Sequence, residues 1–247
     1  MYTSINNQNI YFQKVGQGKD LILLHGWGLD ASSFWPVVDL LKDQFTLWIL
    51  DLPGHGRSDI PKSAFTITDY KNTVMKFIKE LKIQKPIILG HSFGGRVTIK
   101  LASENPKILD KIILEDSAGI SQKSGIQNEL LKVLARGVKH LIPNIFNLKE
   151  LLRLKLYKTL KSDYLDTGLL KETFKKSINE DLTEDLKKIS TEALIIWGEN
   201  DQTTPLEDGK RMYQLIKNSK LVILEGVGHA PHISDPERFA LYVKDFV

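Results

Sequence analysis

Two hydrophobic rhythms alternate along the chain. Short, continuous apolar runs end in polar and glycine residues at "DLILLHG", "TLWILDLPG", "PIILGHS", "KIILEDSAG", "ALIIWGEND" and "LVILEGVGH". Unbroken apolarity over so few residues suits a strand covered on both faces, as in a parallel sheet. Helical spacing fills the gaps. "TDYKNTVMKFIKELK" places Tyr70, Val74, Phe77, Ile78 and Leu81 on one face, with Thr68 as the expected N-cap. "FGGRVTIKLASEN" and "PLEDGKRMYQLIKN" each follow an apolar run, and "DPERFALYVKDFV" has Asp235 as N-cap and Pro236 at the first helical position. Upstream, "NIYFQKVGQGKDLILLHG" reads as two strands joined at Gly16-Gln17-Gly18.

Strands alternating with helices imply an α/β fold, a mostly parallel sheet with helices on both faces. Right-handed crossovers then bring the C-terminal ends of the strands to one edge, where ligands bind in such sheets. The polar endings of the apolar runs therefore converge. Between Ala118 and Asp185 the rhythm breaks. "NELLKVLARGVKHLI", "NLKELLRLKLYKTL" and "DTGLLKETFKKSINEDL" read as amphipathic helices. The expected organisation is a core of residues 1–117 and 186–247 with a helical cap inserted over residues 118–185.

"PIILGHSFGGRVTIK" holds the first candidate chemistry. Gly90-His91-Ser92-Phe93-Gly94 fits G-x-S-x-G, a nucleophile elbow, when it lies between a strand and a helix. The turn is so tight that only small residues fit two before and two after the serine. Ser92 is then held at positive φ with its hydroxyl clear of the sheet. The plainer alternative is a glycine-rich turn with an incidental serine.

A serine hydroxyl needs a base. His229 follows the last apolar run and is the expected base, with His232 its near rival. His25 and His91 flank turns and read as local supports, His55 as part of a structural turn, and His140 as an exposed cap position. The base needs an acid to fix its tautomer. Asp201 ends "ALIIWGEND" and gives the chain order Ser92, Asp201, His229, as this kind of fold requires; Asp116 and Glu199 are the rivals. An acyl intermediate also needs oxyanion donors. The backbone N–H groups of Phe93, at a helix N-terminus, and of Trp27, in "HGWG", are the candidates.

Composition narrows the class. The 247 residues are 42% hydrophobic and 26% charged, enough for one large domain, or a core with an insertion, and unlike a disordered chain. There is no cysteine, which excludes disulfides, a thiol nucleophile and cysteine metal sites. No apolar run approaches a membrane span and no signal pattern opens the sequence; a cytoplasmic protein without stable membrane insertion is expected. The net charge of +4 reads as a lysine-rich surface. No basic tract interleaved with aromatics points to nucleic acid. No G-x-G-x-x-G follows a strand and no P-loop occurs, so no cofactor or metal is expected.

Taken together, "HGWG" (25–28), "DLPGHGRS" (51–58), "GHSFGG" (90–95), "GENDQTTP" (198–205) and "GHAPHISDPE" (228–237) resemble the α/β-hydrolase superfamily, in its order and over nearly the whole core. The resemblance implies an eight-stranded sheet and a Ser92–His229–Asp201 triad. Serine at the elbow sets the chain apart from haloalkane dehalogenases and epoxide hydrolases, which carry aspartate there. "HGWG" beside "GHSFGG" is similar to small-ester carboxylesterases, including pimeloyl-carrier-protein methyl ester esterases. That similarity implies a small to medium ester substrate, carried in the last case by an acidic acyl carrier protein. The expected cap offers Lys132, Arg136, Lys139, Lys149, Arg153 and Lys155 for such a partner. Leu130, Leu134 and Val138, with Leu131 and Leu141, are expected to roof an acyl pocket, and Phe34 and Trp35 to add to it from the core. Carbon–carbon bond hydrolysis, acyl transfer, a slow-hydrolysing ligand receptor and a lipid-facing enzyme are the other readings.

Overall fold

The innermost strand shows why the sheet forms. Leu21, Ile22, Leu23 and Leu24 have no exposed surface. Their side chains alternate: Leu21 and Leu23 join one apolar core with Phe34, Phe239 and Val243, while Ile22 and Leu24 join another with Tyr70, Phe77 and Val97. A strand buried on both faces has to be apolar throughout.

The computed structural model describes residues 1–120 and 169–247. Eight strands form one sheet: β1 Tyr2–Ile5, β2 Gln8–Gly16, β3 Lys19–Leu24, β4 Phe45–Leu50, β5 Ile87–His91, β6 Lys111–Glu115, β7 Glu192–Gly198 and β8 Ser219–Leu224. Their order is β1-β2-β4-β3-β5-β6-β7-β8. From β4 onward all pairings are parallel, while β1–β2 and β2–β4 are antiparallel. β2 and β3 are consecutive in sequence but are not neighbours, because β4 lies between them. Strand β1 is not among the apolar runs. Its hairpin to β2 turns on Asn6 and Asn7, both at positive φ (53° and 60°), a conformation asparagine tolerates and two-residue hairpins favour.

Helices cover both faces. They are α1 Trp35–Leu41, α2 Ile67–Glu80, α3 Phe93–Glu104, α4 Leu169–Ile178, α5 Thr183–Lys188, α6 Leu206–Leu215, α7 Pro231–Ser234 and α8 Pro236–Phe246. Helix α2 buries the expected Tyr70, Val74, Phe77 and Ile78. Its N-cap is Thr66, not Thr68: the Thr66 side chain accepts from Asp69 N while the Asp69 carboxylate accepts from Thr66 N, a reciprocal capping box. Asp235 caps α8 as expected, accepting from Arg238 N.

Of the segment expected to be a cap, α4 is among the described residues. It docks beside the loop before α2, where Phe65 N donates to the Thr173 hydroxyl at 3.1 Å and the Ser177 hydroxyl donates to Phe65 O at 3.4 Å. Leu130, Leu134, Val138, His140 and the basic residues from Lys132 to Lys155 lie outside the described residues. Among the described residues no helix is long and apolar enough to cross a membrane.

Candidate active site

Ser92 stands between β5 and α3 at φ 51° and ψ −106°. A side-chain-bearing residue adopts this conformation only when its surroundings enforce it. The enforcement is steric and hydrogen-bonded. A Cβ on Gly90 would lie 2.4 Å from Gly94 O, and one on Gly94 would lie 2.1 Å from Leu24 O. The helix therefore touches both its own strand and β3 through backbone atoms. Ser92 N donates to Glu115 O at 3.0 Å, and Ser92 O accepts from Gly95 N and Ala118 N, each at 3.1 Å.

The hydroxyl so presented meets His229. Ser92 Oγ lies 3.0 Å from His229 Nε2, and His229 Nδ1 lies 2.8 Å from Asp201 Oδ2. The tautomer follows. Nδ1–H donates to the carboxylate, which leaves Nε2 to accept the serine proton. Each member sits after a different strand, and the loops are tied together: Glu199 N donates to Leu224 O and Asn200 N to Val227 O at 2.8 Å, joining the β7 and β8 loops.

Asp201 is held from several sides. Oδ1 accepts from Thr203 N (2.7 Å) and Thr204 N (3.1 Å), and Oδ2 accepts from the Thr204 hydroxyl (2.6 Å). Thr204 is itself anchored by buried Trp197, whose Nε1 donates to Thr204 O at 2.9 Å. Sequence reasoning quoted Thr204 within "GENDQTTP" but gave it no role. A hydroxyl three residues after an acid at a strand end is the signal that could have found it.

The rivals have other duties. His232 is fully buried, and its Nδ1 lies 2.7 Å from Glu115 Oε1, which also accepts His232 N at 2.8 Å. Glu199 accepts from Gly226 N at 3.0 Å. His91 donates Nε2–H to His229 O at 2.7 Å. Burial, then the neighbouring His232 and His229, hold the His91 ring well below the usual histidine range, so it is neutral. His25 donates from Nδ1 to Gly26 O at 2.8 Å and accepts Leu52 N at Nε2 (3.0 Å), and His55 Nδ1 lies 3.1 Å from Pro53 O.

Trp27 packs edge-on against Phe93, ring centroids 5.0 Å apart, and at a tilt against Phe174 of α4 at 4.9 Å. The "HGWG" loop thus lies beside the residue that opens α3. Asp51 fixes that loop further along, accepting from Ala31 N at 2.7 Å and from Arg57 N at 2.6 Å. Phe34 needs correction: it has no exposed surface and packs on the His232 ring at 4.7 Å, so it supports the β8 loop from within the core and does not line an open pocket. Trp35 opens α1 and is half-exposed. Phe174, at 8% exposure against Trp27, is the aromatic that sequence reasoning missed.

An eight-stranded, mostly parallel sheet with a serine elbow at its C-terminal edge defines an α/β hydrolase. A family model of the alpha/beta hydrolase fold matches residues 20–236, and the chain belongs to that family. Among curated proteins, a pimeloyl-[acyl-carrier protein] methyl ester esterase of Proteus mirabilis is 30% identical over 253 residues, covering 94% of each chain. A 2-hydroxy-6-oxononadienedioate/2-hydroxy-6-oxononatrienedioate hydrolase of Pseudomonas putida is 28% identical over 264 residues, 97% of this chain and 92% of that one. Among solved structures, a bacterial membrane phospholipase A superposes with a TM-score of 0.85 at 23% identity, over 100% of this chain and 84% of the other, and shares the fold. Fold and relatives together make the protein a hydrolase.

Proposed function

We propose that the protein is a serine carboxylesterase acting on small to medium acyl esters. The observation that carries this reading is the unbroken chain from Ser92 Oγ through His229 to Asp201, at 3.0 and 2.8 Å. In this reading Ser92 Oγ attacks the ester carbonyl carbon while His229 Nε2 takes its proton. The N–H groups of Phe93 and Trp27 receive the oxyanion. As the tetrahedral intermediate collapses, His229 returns the proton to the departing alcohol and leaves an acyl-serine. Water, deprotonated by His229, attacks that acyl group, and Ser92 recovers its proton as the acid departs.

The segment 118–185 serves as the cap in this reading. Among its described residues, Phe174 reaches the proposed oxyanion loop through Trp27. A substrate carried by an acidic acyl carrier protein is supported by the 30%-identical esterase. The relative that acts on a hydroxy-oxo-dienedioate supports a second reading, hydrolysis beside a ketone.

A panel of p-nitrophenyl esters of graded acyl length, run beside a carrier-protein-linked methyl ester and a ring-cleavage-type dienedioate, tests both. An initial burst of chromophore that disappears in Ser92→Ala is expected. The substitution should lower turnover by about 10⁴-fold or more. Wild-type ester hydrolysis by Ser92→Ala would overturn the scheme.

A further inference from the structure

Strand β6 ends at Glu115, and a second acid, Asp116, follows it directly. Glu115 belongs to His232. Asp116 has no place in the scheme above, yet it is buried beside the triad. Its backbone lies at φ 41°, in the left-handed region that an aspartate occupies only at a cost. Asp116 Oδ1 accepts from Gly198 N at 2.8 Å, and its backbone carbonyl lies 3.0 Å from the Thr204 hydroxyl. A carboxyl oxygen of Asp116, one of Asp201 and a ring nitrogen of His229 all lie within 4.8 Å of one another. Asp116 Oδ2 is buried and has no hydrogen-bond partner.

The two carboxyls are unequally provided for. Asp201 has two backbone N–H groups on Oδ1, and the Thr204 hydroxyl and His229 Nδ1 on Oδ2. Asp116 has one donor, on Oδ1. Two adjacent buried carboxyls do not both stay ionised. The proton resides on the one with fewer donors to stabilise its charge. An ionised Asp116 would also leave a bare, desolvated oxygen facing another carboxylate. Protonated, the same oxygen becomes a donor with Asp201 as its acceptor.

We propose that Asp116 is a neutral carboxylic acid in the working enzyme, a positioning residue whose Oδ2 proton is shared with Asp201 and holds that carboxylate against His229. The electrostatics run in the same direction: burial first, then the negative charges of Asp201 and Glu115, push the Asp116 carboxyl well above the usual carboxylate range. Among the described residues, the titratable groups around it are Glu115, engaged with His232, Asp201 from the β7 loop and His229 from the β8 loop. The assignment rests on the triad reading, and its test is built to fail separately from it.

Asp116→Asn preserves shape, an acceptor for Gly198 N and a donor toward Asp201; Asp116→Ala removes all three. The infrared difference spectrum between wild type and Asp116→Asn at neutral pH is expected to show the carbonyl band of one protonated carboxyl, present only in wild type. On a p-nitrophenyl ester, Asp116→Ala should lose about tenfold to a hundredfold in kcat with little change in KM. Asp116→Asn should rescue kcat to within about threefold of wild type. Any fall in the wild-type rate that comes from ionising Asp116 as pH rises should be absent from the Asn variant, which has no carboxyl to ionise. Absence of the band, an Asn variant as impaired as Ala with native circular dichroism, or an Ala variant with wild-type kcat would each overturn the proposal. Failure of the triad itself would appear elsewhere, as activity in Ser92→Ala or as no labelling of Ser92 by a fluorophosphonate. The infrared band is read without reference to either.

Discussion

His91 donates its Nε2 proton to the backbone carbonyl of His229 across 2.7 Å. The residue that precedes Ser92, at the end of β5, thus holds the main chain of His229, 138 positions further along the sequence. This bond requires an N–H at Nε2, which a buried neutral imidazole supplies without carrying a charge into the core.

The neutral state of His91 has a pH signature. The ordinary histidine value is 6.5, and burial holds the folded-state value well below it. Below pH 6.5 the unfolded chain takes up a proton that the folded protein refuses, so the unfolded state binds more protons and stability falls with falling pH. His91→Gln keeps a donor for the His229 carbonyl but does not titrate, so its stability should decline less than that of wild type between pH 6.5 and 5.5. Urea unfolding at the two pH values measures the difference; equal declines would show that His91 is not the group responsible.

Thr204→Val isolates the hydroxyl that faces Asp201 Oδ2 at 2.6 Å. The backbone N–H of residue 204 remains, so the loop should keep its path. A buried acceptor that loses one donor costs about 1–3 kcal/mol. Expressed in catalysis, that is a kcat lowered about tenfold or more with KM nearly constant. Steady-state kinetics on one ester gives the split, and a rise in KM alone would place Thr204 in substrate binding instead.

Gly94→Ala should be among the most damaging single-methyl substitutions. Its Cβ would lie 2.1 Å from the carbonyl oxygen of Leu24, a backbone atom of a central strand that cannot rotate away. Overpacking of this kind costs about 1–3 kcal/mol when side chains can adjust and more when they cannot. A loss of about 3 kcal/mol or more, or failure to fold, is expected by denaturant titration. Gly28→Ala makes a contrast, because nothing lies within 4 Å of its Cβ position and only its φ of +75° opposes the change.

Phe174→Ala removes the ring that meets Trp27 at 4.9 Å. A cavity from a buried phenylalanine costs about 3–5 kcal/mol in a well-packed core. The effect should be smaller here, because α4 lies at the edge of the described core. Loosening Trp27 should displace the N–H proposed to receive the oxyanion, lowering kcat/KM about tenfold and mainly through kcat. The same rate with lower thermal stability would assign Phe174 to packing alone.

Sequence rhythm exposed the sheet wherever strands are buried on both faces, because apolarity there has no gaps. It missed β1, which is half-exposed and polar, and whose turn is made by two asparagines in place of glycine. It placed the cap of α2 two residues late, since Thr66 and Thr68 are chemically equivalent and only the reach of Asp69 separates them. That Ser92, Asp201 and His229 would come together was legible because each follows an apolar run, and run ends share an edge. Phe34 was misjudged because an aromatic beside a strand end can face the cleft or the core, and spacing does not say which. Thr204, Asp116 and the His91 bond depend on contacts between loops far apart in sequence, which no local pattern encodes.

Gly94 meets Leu24 backbone to backbone. The spacing between α3 and the central strand is set by main-chain atoms, which no substitution elsewhere alters directly. Side chains around the cleft can therefore change in size and polarity without shifting where Ser92 stands. A scaffold built this way separates heritable variation in what is bound from the chemistry performed on it, so altered substrate range is reachable by mutation through intermediates that keep Ser92 in place.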